Sequence, residues 1–448
     1  MRGKLDRSVF VSLFWAVPFF GILLSIALGP LLAARLWQHH HGTIAALWTF
    51  TLAVALALKL GAAGAAKLLL HALLLDYLPF ILVLFALFSI AGGIHLRGSL
   101  RGTPMVNAGL LALGAVLASV IGTTGASMVL VRPLIRANAG RARNAHVMIF
   151  FIFLVSNIGG ALTPLGDPPL FLGFLHGVDF FWPLRNLWQP TLVCAGVLLA
   201  LFVALDTVFW LRETQAHRLQ PHEPLRVEGL VNLVLVGLVI AAILLCAVWQ
   251  PGVEFQLFGT RLALQNVARD SALLVLGLAS LALTPRPLRA ANGFEWAPLI
   301  EVAILFASIF ICIIPVLAML ALGRNGPFAP LVAMVTRGDG LPDPAAYFWA
   351  SGLLSSVLDN APTYLVFFGL AGGDAAQLMG PSAPILAAIS LGAVFMGANS
   401  YIGNAPNFMV YAIARRSGIS MPGFFGYMLW SGGILLPLFL LVTWVFLR

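Results

Sequence analysis

Two aspartates stand where long apolar runs of the sequence are interrupted, Asp167 in the string GDPP and Asp359 in the string LDNAPT. A charged side chain inside a bilayer is costly, so it normally faces the protein interior or a water-filled cavity. Each carboxylate could bind a cation when ionised and a proton when neutral, and this competition is the simplest chemistry for ion exchange. The alternative is a structural role, because an Asp before Pro or at a turn also suits the start of a helix.

Short hydroxyl and amide side chains gather at four such interruptions, IGTTGAS, GGALTPLGDPP, LDNAPT and GANSYIGNAPN. A broken helix frees backbone carbonyl and N–H groups, and a hard cation such as sodium prefers oxygen ligands. The alternative for a single Thr or Ser is helix packing or a bond to a nearby carbonyl. We predict Asp167 and Asp359 as sodium ligands. The further predicted ion- or substrate-binding residues are Thr123, Thr124, Asn157, Thr163, Asn360, Thr363, Asn399, Ser400 and Asn404, with Ser127 as an additional hydroxyl.

Other titratable residues lie close to these interruptions. Glu301 lies in an apolar run beside the second hairpin and is a possible proton relay, with a satisfied buried carboxylic acid as the alternative. His146 and His176 lie near the two ends of an interrupted apolar segment, a predicted broken helix over 146–178. Either histidine could sense pH or anchor an interface. Asp206 is near the end of a predicted span, which favours an interfacial position.

The composition shows what must surround these groups. Of 448 residues, 60% are hydrophobic and 9% are charged, whereas a soluble globular protein carries about 25% charged residues. This excludes a soluble enzyme and a nucleic-acid-binding domain, although the formal net charge is +9. No Walker motif, nucleophile elbow or zinc pattern is present. We therefore expect an all-α polytopic membrane protein with the lipid bilayer as its partner, no enzymatic activity and no cofactor.

Runs of about 20 apolar residues predict the spanning helices, for a total of about 10–12 membrane segments plus hairpins. The candidate spans are 9–31, 43–60, 78–95, 190–211, 229–249, 270–284, 296–320 and 423–447. The stretch 61–76 could span or lie at the interface. Four interrupted segments complete the set: hairpins at about 104–136 and 345–370, and broken helices at about 146–178 and 383–414. Breaks at membrane depth are tolerated only where protein or a water-filled cavity satisfies the freed groups.

The interrupted segments occur as two copies of one pattern. The offset that separates Gly160 from Gly397 also separates Gly166 from Gly403. Arginines flank the first hairpin on both sides, whereas aspartates flank the second, so the positive-inside rule predicts two halves of inverted orientation. Inverted repeats with broken helices at the midplane are the architecture of secondary transporters.

These features predict five regions of the chain. They are an N-terminal scaffold (1–76), a first repeat (77–211), a cytoplasmic linker (212–228), connecting scaffold helices (229–294), and a second, inverted repeat with the last helix (295–448).

The strings SVIGTTGASMVLVRPLIRAN and FFIFLVSNIGGALTPLGDPPLFLGF resemble the ion transporter superfamily, with LSSVLDNAPTYLVFF and MGANSYIGNAPNFMVYAIA as second-half counterparts. The nearest groups are the NhaD-type sodium/proton antiporters and the bacterial citrate-transporter-like (CitMHS-like) proteins. The resemblance implies a scaffold that often dimerises, hence a homodimer, and a transport domain with two opposed hairpins that moves like an elevator. Carboxylate-transporting relatives carry Ser-Asn-Thr at the hairpin tips, whereas this chain has Gly122-Thr123-Thr124 and Asp359-Asn360-Ala361.

No Arg or Lys lies at any of the four breaks, and a fixed carboxylate repels an organic anion unless a proton or a metal neutralises it. This favours a sodium/proton antiporter of the cytoplasmic membrane, with sodium and protons as the transported or coupling ions. The alternative is a sodium- or proton-coupled symporter of citrate or another small carboxylate, including a metal–citrate complex. A channel is a further alternative and would need a continuous water path. An alternating-access site explains the inverted duplication better than a channel does.

Overall fold

The structure is a computed structural model that describes residues 10–213 and 223–448. Helices dominate it, and the prediction of an all-α polytopic membrane protein is confirmed. The described part of the chain contains eight helices long and apolar enough to cross a membrane, or nine with the bent pair Ala297–Cys312 and Ile314–Leu320. Residues 1–9 of the predicted scaffold and residues 214–222 of the predicted linker lie outside the described residues.

The amino-terminal half forms eight α-helices joined by short irregular turns. They are α1 (Val17–Leu32), α2 (Ala34–Ala72), α3 (Leu78–Ala91), α4 (Pro104–Ile121), α5 (Thr123–Ala137), α6 (Ala145–Leu154), α7 (Pro168–Leu175) and α8 (Trp182–Leu211). Gly61 breaks α2 with a φ of 76°, a value that glycine adopts without steric cost. The π-helical turn Leu73–Tyr77 joins α2 to α3. The stretch 61–76 is thus helical and leads directly into α3.

The carboxy-terminal half forms twelve further helices, several of them short. They are α9 (Val231–Val248), α10 (Leu264–Leu283), α11 (Arg286–Ala291), α12 (Ala297–Cys312), α13 (Ile314–Leu320), α14 (Ala329–Met334), α15 (Pro344–Ser355), α16 (Asn360–Leu370), α17 (Ala375–Met379), α18 (Ala383–Phe395), α19 (Ala405–Arg416) and α20 (Phe424–Phe446). Proline opens many of them because its missing N–H is not needed in the first turn.

Two small antiparallel ribbons accompany the helices, and the sequence pattern did not predict them. Strand β1 (His95–Ser99) pairs with β2 (Glu223–Glu228), so the end of the linker region is paired with the chain just after α3. The hydrogen bond with His95 and the nearby Arg97 guanidinium lower the pKa of Glu228. Strands β3 (Glu254–Leu257) and β4 (Thr260–Ala263) pair across a two-residue turn.

Helices α6 and α18 lie at the centre of the molecule. Of the residues Ala145–Leu162, a stretch that contains α6, 89% are buried, whereas 22% are buried in an apolar 18-residue stretch of the spanning helix Trp182–Leu211. A helix that is apolar on every face must be enclosed by protein or lipid, and here other helices enclose α6 and α18. Helix α15 packs along α18, and α8 packs beside the 3₁₀ turn Ile158–Leu162 that follows α6.

Each half contains a helical hairpin and a broken helix. The first hairpin is α4 and α5 with Gly122 between them, and the second is α15 and α16 with residues 356–359 between them. Helix α6 breaks at a 3₁₀ turn before α7, and α18 breaks at the 3₁₀ turn Met396–Asn399 before α19. The division of the chain into scaffold and repeats stays a prediction.

Candidate functional site

In the first half, the tip of the hairpin α4–α5 meets the broken helix α6–α7, and we call this meeting point the first break. It depends on glycines that allow the two backbones to approach closely. Gly122, with a φ of 80°, ends α4 and lets the chain turn back into α5. The N–H of Thr123, the first residue of α5, then donates to the carbonyl of Gly166 over 2.8 Å. A β-carbon on Gly166 would collide with the carbonyl of Gly160. The glycines therefore bring the hairpin tip and the broken helix together.

The same close approach exists in the second half, where a β-carbon on Gly403 would collide with the carbonyl of Gly397. Serine and threonine hydroxyls also make equivalent bonds in the two halves. Thr163 donates to the carbonyl of Ser119, and Ser400 donates to the carbonyl of Ser356 over 2.6 Å. A hydroxyl that donates its proton keeps lone pairs that can face a cation.

Asp167 lies at the meeting point of both hairpins. It is 1% exposed and is the last residue before α7. One of its carboxylate oxygens accepts the Thr123 hydroxyl over 3.2 Å, and the other accepts the side-chain amide of Asn360 at the tip of the second hairpin. The amide oxygen of Asn360 is buried and has no hydrogen-bond partner among the described residues. The structure thus places two predicted ligands directly on Asp167.

Asp359 has a different environment. It is half-buried, and its side chain accepts the N–H of Ala361 over 3.0 Å, so it caps the start of α16. The Thr363 hydroxyl donates to the backbone carbonyl of Asp359 over 3.0 Å. No hydrogen bond joins Asp359 to Asp167 in the part of the chain that the structure describes. The cap that the sequence left as an alternative for Asp359 is therefore formed.

Three asparagines lie where the two broken helices meet, Asn157 in the first and Asn404 and Asn407 in the second. The Asn404 amide donates to the side-chain oxygen of Asn157 over 2.8 Å, and the Asn157 amide donates to the side-chain oxygen of Asn407 over 2.8 Å. Asn407 donates in turn to the carbonyls of Gly397 and Ser400, over 2.9 and 3.0 Å. These amides connect the two broken helices to each other.

The remaining predicted residues lie around these two groups. The Asn399 amide donates to the Ser356 hydroxyl over 2.9 Å, and the Asn399 side-chain oxygen is buried without a described partner. The hydroxyls of Ser127 and Ser156 lie 3.1 Å apart. Glu301 is half-buried on α12 and has no hydrogen bond or ion pair with any described residue. Its role as a proton relay stays a prediction.

A cleft of about 60 Å³ opens beside Asp167. Residues 122–125 and 164–168 line one side, and apolar side chains of α3 and α12, such as Leu87 and Val302, line the other. Thr123, Thr124 and Asp167 supply the polar groups, and Asp167 is the one charged residue among those that line the described cleft. An ionised carboxylate without a nearby cation is a strong site for either a metal cation or a proton.

The sequence pattern did not single out Asn407, Ser119 or Ser356, although all three hold the breaks together. Asn407 lies in the string GNAPN, and Ser119 and Ser356 occupy matching positions of the two halves. A pairwise comparison of polar residues in the repeat could have identified the two serines. Nothing in the string distinguishes the structural Asn407 from the predicted ligand Asn404.

The family model described as "Putative citrate transport" matches residues 8–447 of this chain. The chain belongs to this family. The resemblance to the citrate-transporter-like proteins is thereby confirmed, and the chain is a multi-pass membrane transporter. Transporters of Mycobacterium tuberculosis and Mycobacterium bovis, both described as uncharacterized, are each 27% identical to it over 330 residues, which is 71% of this chain and 71% of each relative.

Proposed function

We propose that this transporter exchanges sodium ions for protons across the cytoplasmic membrane, and that Asp167 binds either ion in turn. The observation that carries the proposal is the buried carboxylate of Asp167, which receives side-chain donors from both hairpins in a cleft with no basic residue among the described residues that line it. A carboxylate that binds one cation or one proton, but not both, couples the two fluxes.

The surrounding oxygens support a sodium ion at this position. The Thr123 hydroxyl has free lone pairs, and the buried side-chain oxygen of Asn360 has no partner among the described residues. Rotation of the Asn360 amide would turn this oxygen toward an ion beside Asp167. Sodium would then replace the amide donor that now bonds to the carboxylate.

The resemblance to the ion transporter superfamily is the basis for our inference about the movement that carries the ion across the membrane. We propose that the two hairpins and broken helices move together against the other helices, like an elevator. The bonds that join the two halves at Asp167 and Asn157 support their movement as one unit, because Asn360 and Asn404 come from the opposite half.

The second candidate is symport of citrate or a similar small carboxylate with sodium or protons, which the description of the family favours. Asp167, however, would repel a bare anion in this cleft. This candidate therefore requires a proton on Asp167 or a metal bound to the substrate, as in a metal–citrate complex.

Proteoliposomes with an entrapped pH dye and an acidic lumen distinguish the two candidates. For antiport, external sodium chloride raises the luminal pH, with lithium and potassium chloride as selectivity tests, and labelled citrate does not accumulate. Asp339→Asn, which changes an exposed loop carboxylate, is the control that should leave the flux unchanged. Citrate accumulation without any sodium- or lithium-driven proton movement would contradict antiport and support symport.

A further inference from the structure

A second group of buried charges lies apart from Asp167, where α4 begins and α8 ends. Asp206, on α8, is completely buried among other residues of the protein. The interfacial depth that the sequence favoured for it stays a prediction. Its carboxylate accepts hydrogen bonds from Arg141, from His146 over 2.8 Å and from Asn107 over 3.0 Å. A buried carboxylate needs such partners because burial removes the water that would otherwise stabilise its charge.

These partners come from separate elements of the first repeat. Asn107 lies in the first turns of α4, Arg141 follows α5, and His146 lies in the first turn of α6. Asn138, at the end of α5, exchanges amide hydrogen bonds with Asn107 over 2.9 and 2.8 Å. The group therefore ties both ends of the first hairpin and the start of the broken helix to α8.

The buried charges in this group do not balance. Besides Asp206, the carboxylate of Glu213 lies 4.0 Å from Arg141, and its side chain is 7% exposed. Glu213 also accepts the backbone N–H groups of Ala142 and Arg143 over 3.2 and 3.3 Å. Two carboxylates thus face one buried guanidinium.

The other charged groups around this cluster do not remove the imbalance. Arg101 and Arg143 are exposed to solvent, where they lie over the rings of Trp210 and Phe209. An exposed guanidinium is screened and contributes little to the balance of buried charges. Among the described residues, one negative charge of the cluster has no buried cationic partner until another buried group becomes positive.

His146 is the group that can supply this charge. It is 2% exposed, its Nε2 lies on Asp206, and its ring packs between Phe202 and Phe209 with centroid distances of 6.1 and 4.7 Å. Because Nε2 already faces the carboxylate, a second proton on the ring adds a charge without breaking this contact. Histidine is the side chain whose charge ordinarily changes near physiological pH.

We propose that His146, held against Asp206, is a second proton-binding site, and that its proton determines how firmly the first hairpin is held to α8. Arginines surround this end of the first hairpin, so the site is on the side that we propose to be cytoplasmic. With the proton bound, the buried charges balance and the contacts of Asn107, Arg141 and His146 are strong. Without it, the excess negative charge weakens them. The effect on transport rests on the proposed antiport, but the proton binding does not.

Hydrogen–deuterium exchange of the purified full chain tests the site without any transport assay. After correction for intrinsic exchange rates, protection of residues 103–107 and 138–146 should fall in the wild type as the pH rises from about 5 to 8. His146→Gln should remove this pH dependence. The matched control is His176→Gln at the other end of the same broken helix, which should retain it. Protection that is independent of pH in the wild type, or equally pH-dependent in His146→Gln, would overturn the proposal.

Glu213→Gln provides a second variant that keeps the histidine. It removes the excess negative charge, so the midpoint of the pH-dependent change in hydrogen–deuterium exchange should move to lower pH. An unchanged midpoint would contradict the charge balance argued above. In proteoliposomes, His146→Gln should change the pH profile of sodium-driven proton flux more than its maximum. If the wild type shows no sodium-driven proton flux, antiport is refuted. The hydrogen–deuterium exchange result then decides by itself whether His146 is a proton-binding site.

Discussion

In the first break, the Thr163 hydroxyl donates to the carbonyl of Ser119, and in the second the Ser400 hydroxyl donates to the carbonyl of Ser356. The offset along the chain is the same for both pairs. The two breaks therefore share a backbone frame that the duplicated sequence preserves.

The groups that fill this frame differ between the halves. Asp167 precedes α7, and the equivalent residue before α19 is Asn404. No described residue that lines the cleft of Asp167 is basic, whereas Asn404 donates to Asn157 and accepts the N–H of Asn407 over 3.1 Å. The residue before α7 can gain or lose a charge, and the equivalent residue before α19 cannot. This comparison suggests that Asp167 titrates, whereas Asn404 mainly holds the broken helices together.

The largest effect is expected for Asp167→Asn, which removes the only charge of the described cleft but keeps its shape. Sodium-driven proton flux should fall at least about 100-fold, since an ion would lose its charged ligand and about 3 kcal/mol of stabilisation. The measurement is flux in proteoliposomes at matched protein content. The converse change, Asn404→Asp, should lower stability but leave flux within a few-fold of the wild type. Equal loss of flux in both variants would remove the distinction between the halves.

Asn407→Leu tests whether the second break is mainly structural. The equivalent residue of the first half is Leu170, so the new side chain is one that the shared frame already accepts. The variant leaves the carbonyls of Gly397 and Ser400 without their donor, and the free energy of unfolding should fall by about 2–4 kcal/mol. Thermal unfolding in detergent measures this. Unchanged stability with abolished flux would instead place Asn407 in ion binding.

Asp359→Asn should have a smaller effect on flux than Asp167→Asn. Asparagine caps a helix as well as aspartate does, so this change removes the charge and keeps the bond to Ala361. We expect flux to fall by about tenfold at most. The control is Asp343→Asn, because Asp343 caps the other arm of the same hairpin by accepting the N–H of Ala345 over 3.0 Å. A complete loss of flux in Asp359→Asn, with the Asp343 variant active, would make Asp359 a second essential carrier.

Ser119→Ala and Ser356→Ala examine the shared frame and should have the smallest effects. The two serine hydroxyls donate to equivalent carbonyls, those of Gly159 and Met396. Ser119→Ala should therefore cost about 1 kcal/mol of unfolding free energy, and Ser356→Ala somewhat more, because it also leaves the Asn399 amide without its acceptor. Paired thermal denaturation curves provide the comparison. A larger cost for Ser119→Ala than for Ser356→Ala would contradict this assignment of partners.

Much of the membrane architecture could be predicted, because apolar runs, interruptions and their repeat are visible in the order of residues. The position of Asp167 in a break was visible in the same way. Its partner Asn360 was a candidate ligand, but the bond between them depends on two segments that are far apart in the chain. The buried partners of Asp206 could not be predicted, because its nearness to a span end gives no sign of them. The pairing of β1 with β2 likewise depends on tertiary contacts rather than on local pattern.

The most direct test of the central claim is proton release from purified protein in weakly buffered detergent solution when sodium chloride is added. If sodium and a proton compete for Asp167, the wild type releases protons as sodium binds, Asn404→Asp releases them too, and Asp167→Asn releases none. Proton release that persists unchanged in Asp167→Asn, or sodium binding to the wild type without any proton release, would contradict the account.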